Sequence, residues 1–329
     1  MKTTNVNVSI GTAGVLGLTD VAMNVAPTTA YLMLGGRCSM ACAFCAQART
    51  SHANAINLSR VTWPEFPLAE TVDRLAQAVD RGAIRRCCLQ VTAGQGYYER
   101  ALAVIGAIKT ATDVPLDAAI LPPTMDHVTE LIAAGVDHIG FGLDAAGERV
   151  FRRIKGGDWT RSLRLIKETA RRYPGHAAAH LIVGLGETER EMVETIQTLH
   201  NWGVTVGLFA FTPVRGTEMA HLPPPPLTVY RRMQVARHLI VHGLARAGDF
   251  VFSPDGRLTD FGQPRLPVLL ADGLAFETSG CPDCNRPYYN ERPGGPMYNY
   301  PRPLNVQEVE RALAALQDPS KSIEGVESL

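Results

Sequence analysis

The sequence lacks a net charge and any long apolar run. Its 329 residues contain 32 Lys and Arg against 32 Asp and Glu, a balance that gives no support to nucleic-acid or membrane-surface binding. No window offers about 18 uninterrupted apolar residues, the length that a membrane-spanning helix needs. Residues 1–30 contain no continuous apolar core of the kind found in a signal peptide. We therefore expect a cytoplasmic globular protein that binds neither nucleic acid nor a membrane.

The cysteines lack the even spread of an extracellular disulfide framework. There are seven, and they form three tight groups: Cys38, Cys42 and Cys45; the adjacent pair Cys87 and Cys88; and Cys281 with Cys284. In a long cytosolic chain, thiols packed a few residues apart are more often metal or cluster ligands than disulfide partners. The grouping predicts metal or cluster chemistry.

From residue 28 onward, short apolar runs alternate with amphipathic stretches. Strands are predicted at residues 28–34, 84–92, 114–121, 138–144, 178–184, 204–212 and 250–253, and helices at 68–81, 99–110, 125–134, 160–172, 187–202 and 228–247. Six or seven βα units in about 220 residues favour a TIM-type (β/α) barrel, complete or partly open, over a doubly wound sheet. In such a barrel the chemistry belongs at the carboxyl ends of the strands.

The sequence divides into three parts on this interpretation. An N-terminal extension covers residues 1–27, the barrel covers 28–250, and a loop-rich C-terminal extension covers 251–329. Residues 281–303 are rich in Pro, Gly, Tyr and Asn, which predicts an ordered loop laid across the barrel mouth. A helix is predicted at 306–316, followed by a polar tail.

Three cysteines follow the first predicted barrel strand in the run GGRCSMACAFC, residues 35–45. A cubane cluster has four irons, so three thiolate ligands leave one iron open. The alternative is a zinc site, which would need a fourth Cys or His, and none lies within the loop. We favour a [4Fe-4S] cluster on Cys38, Cys42 and Cys45, with a distant zinc ligand left open.

The spacing C-x3-C-x2-C, with the aromatic Phe44 before the last cysteine, resembles the radical S-adenosylmethionine (SAM) superfamily. The resemblance spans roughly residues 28–262. It implies that the open iron binds SAM and that one electron cleaves SAM to methionine and a 5′-deoxyadenosyl radical. That radical takes hydrogen from an unactivated carbon, while the protein positions groups and excludes water.

Three further positions resemble cofactor-binding residues of biotin synthase and its relatives. The run IVGLGET, residues 182–188, resembles a strand-to-helix turn near the adenine and implies roles for Ile182, Gly184 and Glu187. Asp144 resembles the residue that binds the ribose hydroxyls, and Arg161 falls near an Arg that pairs with the SAM carboxylate. A helix N-cap for Asp144 and a solvated helix face for Arg161 are the alternatives.

Biotin synthase holds a second cluster on three cysteines of successive strands and an Arg. Here RRCC at residues 85–88 resembles the first of those strands, and FSPDGR at 252–257 resembles the strand that carries the Arg. The next two thiol positions are held by small residues around 117–119 and by Ala178. A complete cluster of that type cannot form, which argues against biotin synthase itself.

Cys281 and Cys284 lie in the run SGCPDCNRPYYNERP, residues 279–293. Together with Cys87 or Cys88, or with an Asn, Glu or Arg of the same loop, they could hold an auxiliary iron-sulfur cluster. A redox disulfide or an incomplete zinc knuckle is the alternative. Four tyrosines could wall an apolar tunnel or simply pack: Tyr288, Tyr289, Tyr298 and Tyr300.

A barrel with this C-terminal loop resembles the two-component lipoyl synthases of archaea and some bacteria. The resemblance implies sulfur insertion into an octanoyl chain on a lipoyl carrier protein or domain, with the auxiliary cluster as sulfur source. It also implies a second related radical SAM protein and a reductant such as ferredoxin or flavodoxin. Other hypotheses are a mutase or cofactor-maturation enzyme of the same superfamily and, more remotely, a metal-binding scaffold without activity. The substrate carbon, the auxiliary ligand set, the electron donor and the oligomeric state stay open.

Overall fold

The computed structural model describes residues 5–291 and 295–316, and strands and helices alternate along most of this length. In chain order the elements are β1 (Asn5–Val8), α1 (Ile10–Val15), β2 (Thr29–Leu34), β3 (Asn57–Leu58), β4 (Val61–Thr62), β5 (Glu65–Pro67), α2 (Leu68–Asp80), β6 (Arg86–Val91), α3 (Tyr97–Ala111), β7 (Leu116–Ala119), α4 (Met125–Ala133), β8 (His138–Asp144), α5 (Glu148–Ile154), α6 (Trp159–Arg172), β9 (Ala177–Val183), α7 (Glu189–Asn201), β10 (Thr205–Ala210), α8 (Leu227–Val241), β11 (Val251–Phe252), β12 (Leu258–Asp260), α9 (Leu266–Leu269) and α10 (Val306–Ala314).

Six parallel strands form the main part of one eight-stranded sheet. The strand order is β10-β9-β8-β7-β6-β2-β1-β5, with β2 and β6 to β10 parallel and β1 antiparallel to both of its neighbours. Within the described residues, β10 and β5 are the edges of this sheet, so the sheet does not close on itself. The prediction of a TIM-type barrel is confirmed in its partly open form. No helix of the described residues combines the length and apolar character of a membrane span.

The outer face of the sheet carries the hydrophobic core. Side chains alternate along a strand, so on β2 Ala30 and Leu32 pack towards the helices while Tyr31 and Met33 face the barrel interior. Burial of one leucine side chain stabilises the fold by about 1.5–3 kcal/mol, and the helices supply many such partners. The core therefore fixes the barrel from outside.

Small residues on the inner face leave the barrel interior open. Ala119, Gly140 and Ala178 are register partners on β7, β8 and β9, where large branched side chains would fill an ordinary TIM barrel. A Cβ at Gly140 would lie 3.2 Å from Cε1 of His180. These residues border a cavity of about 620 Å³ inside the barrel.

Residues 279–290 lie in the gap between the edge strand β10 and the amino-terminal end of β2. The hydroxyl of Ser279 accepts a hydrogen bond from the Leu208 amide at 3.0 Å, and the Asn290 amide group donates to the Ala210 carbonyl at 2.8 Å. On the other side of the gap, the Thr28 amide donates to Oδ1 of Asn285 at 3.0 Å. Side chains of this segment thus bond the free edge of β10.

The prediction of a loop across the barrel mouth is wrong for the part of the loop that carries Cys281 and Cys284. The Pro282 carbonyl accepts from Nε of Arg86 at 2.8 Å, and the hydroxyls of Thr28 and Thr29 donate to the Asp283 carbonyl at 2.6 and 3.0 Å. These partners lie at the amino-terminal starts of β6 and β2, opposite to the mouth. Composition predicts an ordered loop, but it contains no signal for the end of the barrel that the loop reaches.

Two further predictions need correction. Residues 250–253 do not add a strand to the barrel, because β11 pairs antiparallel with β12 in a separate two-stranded sheet. Conversely, β1 of the N-terminal extension joins the main sheet beside β2. Helix α5 was not predicted, because its seven residues are too few to show a helical period. Residues 292–294 of the predicted loop and 317–329 of the predicted tail lie outside the described residues.

Candidate active site

The loop that carries Cys38, Cys42 and Cys45, here called the mouth loop (residues 35–47), follows β2 at the carboxyl end of the barrel. Gly35 has a φ of +103°, and a Cβ there would meet the hydroxyl of Thr92, so only glycine fits. The Cys38 amide donates to the Gln47 carbonyl at 2.8 Å, which closes the loop on itself. The Arg37 guanidinium donates to the carbonyls of Ala46 and Ala53. Backbone groups therefore hold the three thiols in place.

The three mouth thiols line the cavity and are partly buried. Burial raises the pKa of Cys42 to about 12 and that of Cys45 to about 11. Cys42 and Cys45 therefore hold their protons in the free protein, and a bound cation must displace those two protons.

The distances among the three mouth sulfurs bear on whether these thiols suit an iron-sulfur cluster or a single metal ion. Among the described residues, the only group of three potential ligands within 4.8 Å of one another is Asp117, His138 and Cys281. The three mouth sulfurs are therefore not all within 4.8 Å of one another, whereas the sulfurs on one tetrahedral zinc lie about 3.8 Å apart. Their spread suits ligands of separate irons in a cluster.

Four of the predicted cofactor-binding residues line the cavity beside the mouth thiols: Phe44, Asp144, Arg161 and Ile182. Asp144 has a φ of +63° and forms an ion pair with Nζ of Lys155 at 2.6 Å. Lys155 was not predicted as a site residue from the sequence. Burial acts to lower the pKa of Lys155, but the charge and hydrogen bond of Asp144, together with Cys42 and Cys45, outweigh burial and raise that pKa. Arg161 donates to the Pro123 carbonyl at 3.1 Å. The mouth therefore presents a carboxylate and two cations to a polar ligand.

The structure does not bring Gly184 and Glu187 to the cavity wall. The Glu187 carboxylate accepts from the amides of Gly184 and Leu185 at 2.6 and 3.0 Å, and burial raises the pKa of Glu187. Gly184 has a φ of +101°, and a Cβ there would lie 3.1 Å from Pro225. These two residues shape the turn between β9 and α7, and Ile182 alone of the three predicted residues lines the cavity.

A second group of thiols lines the same cavity from its opposite end. Cys281 and Cys284 belong to the floor loop, defined as residues 279–286, and Cys88 faces them from β6. Burial raises the pKa of both Cys88 and Cys281. Cys87 points the other way, as the neighbouring residue on a strand must, and lies fully buried in the core. Of the two candidates, Cys88 joins this floor site and Cys87 does not.

Polar side chains form one row across four neighbouring strands at the floor. Tyr31 is the register partner of Cys88, Cys88 of Asp117, and Asp117 of His138. The Tyr31 hydroxyl lies 3.5 Å from Sγ of Cys284. The row therefore faces the thiols of the floor loop.

Two basic side chains lie between the mouth and the floor. The Arg286 guanidinium stacks 3.8 Å above the ring centroid of Phe209 and donates to the Ser279 carbonyl at 2.6 Å. His180 meets the same ring edge-on, with 5.3 Å between the centroids, and burial lowers the pKa of His180 to about 4. The middle of the cavity therefore holds one permanent cation and one neutral imidazole near pH 7.

The four tyrosines do not form a common wall. Tyr289 lines the main cavity, whereas Tyr288 is 39% exposed and borders a separate, smaller cavity. Tyr298 and Tyr300 are buried near Arg231, whose guanidinium donates to the Tyr298 carbonyl at 2.7 Å. Of the four, Tyr289 alone lines the main cavity and keeps the tunnel role as a prediction, and packing explains Tyr298 and Tyr300.

The model of the radical SAM superfamily matches residues 32–199, just over half of the chain. The chain belongs to the radical SAM superfamily. Among its relatives, the biotin synthase of Desulforudis audaxviator is 33% identical over 218 residues, which cover 62% of each protein. The lipoyl synthase of Trichlorobacter lovleyi is 26% identical over 217 residues, 61% of this chain and 72% of that protein. The match covers 62% of that biotin synthase and 64% of another, from Clostridium acetobutylicum, so it spans less than two thirds of either relative.

Two solved structures share the fold. The crystal structure of methylornithine synthase superposes with a TM-score of 0.51 at 12% identity, over 65% of this chain and 62% of that one. The hydrogenase maturase from Carboxydothermus hydrogenoformans gives a TM-score of 0.51 at 17% identity, over 65% and 51% of the two chains. At this identity the likeness concerns the barrel alone.

Radical SAM membership implies a [4Fe-4S] cluster and SAM, and the mouth fits both. Three separated thiols match a cluster with one open iron, and the nearby carboxylate and cations suit the polar groups of an amino acid and a ribose.

Some of the polar residues beside the two thiol groups were not predicted from the sequence, namely Tyr31, Asp117, His138 and Lys155. Strand alternation offered one signal, because Tyr31 and Cys88 share the inner face with Met33 and Gln90. No sequence signal indicated Lys155, since it follows helix α5, which was not predicted from the sequence.

Proposed function

We propose that this radical SAM protein inserts sulfur, as a lipoyl synthase component that thiolates an octanoyl chain on a lipoyl carrier protein or domain. The observation that carries the proposal is one cavity lined by two separate thiol groups, Cys38, Cys42 and Cys45 at the mouth and Cys88, Cys281 and Cys284 at the floor. Relatives named biotin synthase and lipoyl synthase support this class of reaction. The barrel at 28–250 would supply the first site, and the extension at 251–329 would complete the second.

At the mouth, Cys38, Cys42 and Cys45 would hold the [4Fe-4S] cluster, with SAM on the open iron. When bound, this pair supplies a radical that removes hydrogen from an alkyl carbon. Lys155 and Arg161 lie where they can pair with the SAM carboxylate, and Asp144 can accept hydrogen bonds from ribose hydroxyls. The apolar side chains of Phe44 and Ile182 border the same space and help to exclude water.

At the floor, Cys88, Cys281 and Cys284 would hold the auxiliary cluster that serves as sulfur source. All three cysteines are free in the structure, and three thiols are more than a redox disulfide uses. Arg86 and the two threonines at the start of β2 bond the floor loop backbone, which fixes Cys281 and Cys284 towards the cavity. The floor thus has the donor set of a second metal site.

Between the two sites, the cavity suits an alkyl chain. Met33, Ala178 and Phe209 present apolar surface to it, and Gly140 and Gly207 leave room beside them. A saturated chain that entered this space would have one end near each thiol group. The geometry therefore fits transfer between a mouth that removes hydrogen and a floor that holds sulfur.

Biotin synthase is the second candidate, because relatives of that name reach 33% identity. However, the inner face next to Cys88 carries Asp117 on β7 and Ala178 on β9, and neither is a thiol. The floor also takes two cysteines from a loop. This donor set favours the lipoyl synthase hypothesis over the biotin synthase one.

The test is an anaerobic incubation of the reconstituted protein with reductant, SAM and a peptide that carries an octanoyl-lysine. We expect mass spectrometry to show added sulfur on the peptide and 5′-deoxyadenosine in solution. A parallel incubation with a second related radical SAM protein and with ferredoxin or flavodoxin tests the proposed partners. Production of 5′-deoxyadenosine with an unchanged peptide in both incubations would contradict sulfur insertion and favour a mutase or maturation role.

A further inference from the structure

We propose that Asp117 is the fourth ligand of the floor site, an oxygen donor that completes the set formed by Cys88, Cys281 and Cys284. This inference rests on the proposed function, since it assumes that the floor site holds an iron-sulfur cluster. Three thiolates leave one iron of a cubane without a protein ligand. Asp117 lies beside all the elements that supply those thiolates.

The position of Asp117 follows from strand register. Asp117 on β7 is the register partner of Cys88 on β6, so both side chains lie at one level of the inner face. Ligand atoms of Asp117, His138 and Cys281 lie within 4.8 Å of one another. The carboxylate therefore lies between a strand thiol and a loop thiol.

Buried neighbours orient the Asp117 carboxylate. The Asp117 side chain is 5% exposed, and its Oδ1 accepts from a guanidinium nitrogen of Arg86 at 2.7 Å and pairs with Nδ1 of His138 at 3.0 Å. Both of these contacts fall on the same oxygen, and the carboxylate also hydrogen-bonds the side chain of Cys281. Ligating carboxylates are commonly held in this way by outer hydrogen bonds.

Arg86 couples the carboxylate to the floor loop. Its Nε donates to the Pro282 carbonyl at 2.8 Å, in the same loop turn as Cys281 and Cys284. The guanidinium also supplies a positive charge that offsets the burial cost of the carboxylate. One side chain thereby sets the distance between Asp117 and the loop thiols.

The experiment uses the full chain with Cys38→Ala, Cys42→Ala and Cys45→Ala, so that only the floor site can hold a cluster. After anaerobic reconstitution we expect about four irons per chain, and none after the further change Cys281→Ala. No iron in the triple variant, or bound zinc in its place, would overturn the proposed function and this inference with it. Normal iron in the triple variant leaves the function standing and puts Asp117 alone to the test.

Three changes at Asp117 in this background then separate a ligand from a structural residue. Asp117→Ala and Asp117→Asn should open one iron, so that added cyanide alters the electron paramagnetic resonance spectrum of the reduced cluster and a chelator removes iron about tenfold faster. Asp117→Cys should restore a closed cluster that resists both reagents. Circular dichroism of each variant checks the fold.

Two results would overturn the assignment of Asp117. One is an Asp117→Asn variant that resists cyanide as the parent does, since an amide keeps the hydrogen bonds but is a poor ligand. The other is an Asp117→Cys variant that loses iron as Asp117→Ala does. If Asp117→Ala does not fold, Asp117→Asn and Asp117→Cys still decide between the two roles.

Discussion

The mouth and the floor of one barrel hold their thiols in different ways. At the mouth, Cys38, Cys42 and Cys45 lie on a single loop whose ends are joined by backbone hydrogen bonds. At the floor, Cys88 comes from a barrel strand and its partners come from a loop near the other end of the chain. The mouth thiols are close in the sequence as well as in space, whereas the floor thiols come together only after the chain has folded.

The floor also carries more backbone strain. Asp283 and Arg286 of the floor loop have positive φ angles of 60° and 35°, and Tyr288 just beyond the loop has 62°, in a region that disfavours side chains. Each such residue costs about 1–3 kcal/mol unless its surroundings stabilise it. Here the Arg286 amide donates to the Tyr31 hydroxyl at 2.9 Å, and the Asp283 carbonyl accepts from two threonines. Strain of this kind marks a floor loop that tertiary contacts hold in shape.

The largest expected effect separates the two sites by function. Cys281→Ala combined with Cys284→Ala should lower sulfur transfer to the octanoyl peptide by more than about a hundredfold, because the sulfur source loses two ligands. The same double variant should still cleave SAM, since the mouth is intact. Cys42→Ala should abolish both reactions. Liquid chromatography of 5′-deoxyadenosine and mass spectrometry of the peptide measure the two reactions; equal loss of both in the floor variant would break the comparison.

The next prediction uses two adjacent residues as a matched pair. Cys88→Ala should remove the iron of the floor site, because Cys88 faces the cavity. Cys87→Ala should keep all the iron and lower the free energy of unfolding by about 1 kcal/mol, because it leaves a small void in the core. Iron analysis and urea unfolding test the pair. Loss of floor iron in the Cys87 variant would show that the strand face has been misassigned.

These two sites also show how far the sequence could predict the molecule. The mouth loop, the barrel strands and the proposed mouth ligands follow from local spacing and periodicity, so the sequence alone was enough to predict them. The side of the barrel that the floor loop reaches depends on contacts such as Arg86 with Pro282, and no local pattern encodes a contact between residues so far apart. The alternation of side chains along a strand was enough to show that Cys87 and Cys88 face opposite sides of the sheet, so only one of them can line the cavity. Asp117 and His138 needed the register between strands as well.

A pH prediction concerns His180, which lies between the mouth and the floor. Burial lowers its pKa to about 4, below the value of about 6.5 in an unfolded chain. Between pH 6.5 and 4 the unfolded state therefore binds a proton that the folded state does not, so stability falls as the pH falls, by at most about 3 kcal/mol. His180→Gln should flatten this dependence. Urea unfolding of the metal-free protein at several pH values measures it, and parallel curves for the two proteins would contradict a buried neutral His180.

The smallest expected effects compare a local hydrogen bond near the mouth with a long-range hydrogen bond of the C-terminal segment. Thr188 caps α7 through a local hydrogen bond from the Glu191 amide at 3.1 Å, near the mouth. Thr188→Ala should lower the free energy of unfolding by about 1 kcal/mol and leave the floor iron unchanged. Asn290 lies four residues beyond the floor loop and joins the same C-terminal segment to the carboxyl end of β10 by donating to the Ala210 carbonyl at 2.8 Å. Its loss leaves that buried carbonyl without this donor. Asn290→Ala should therefore cost about 2 kcal/mol and also speed the release of floor iron to a chelator. If the two variants released floor iron equally fast, the floor would not depend on long-range contacts more than the mouth does.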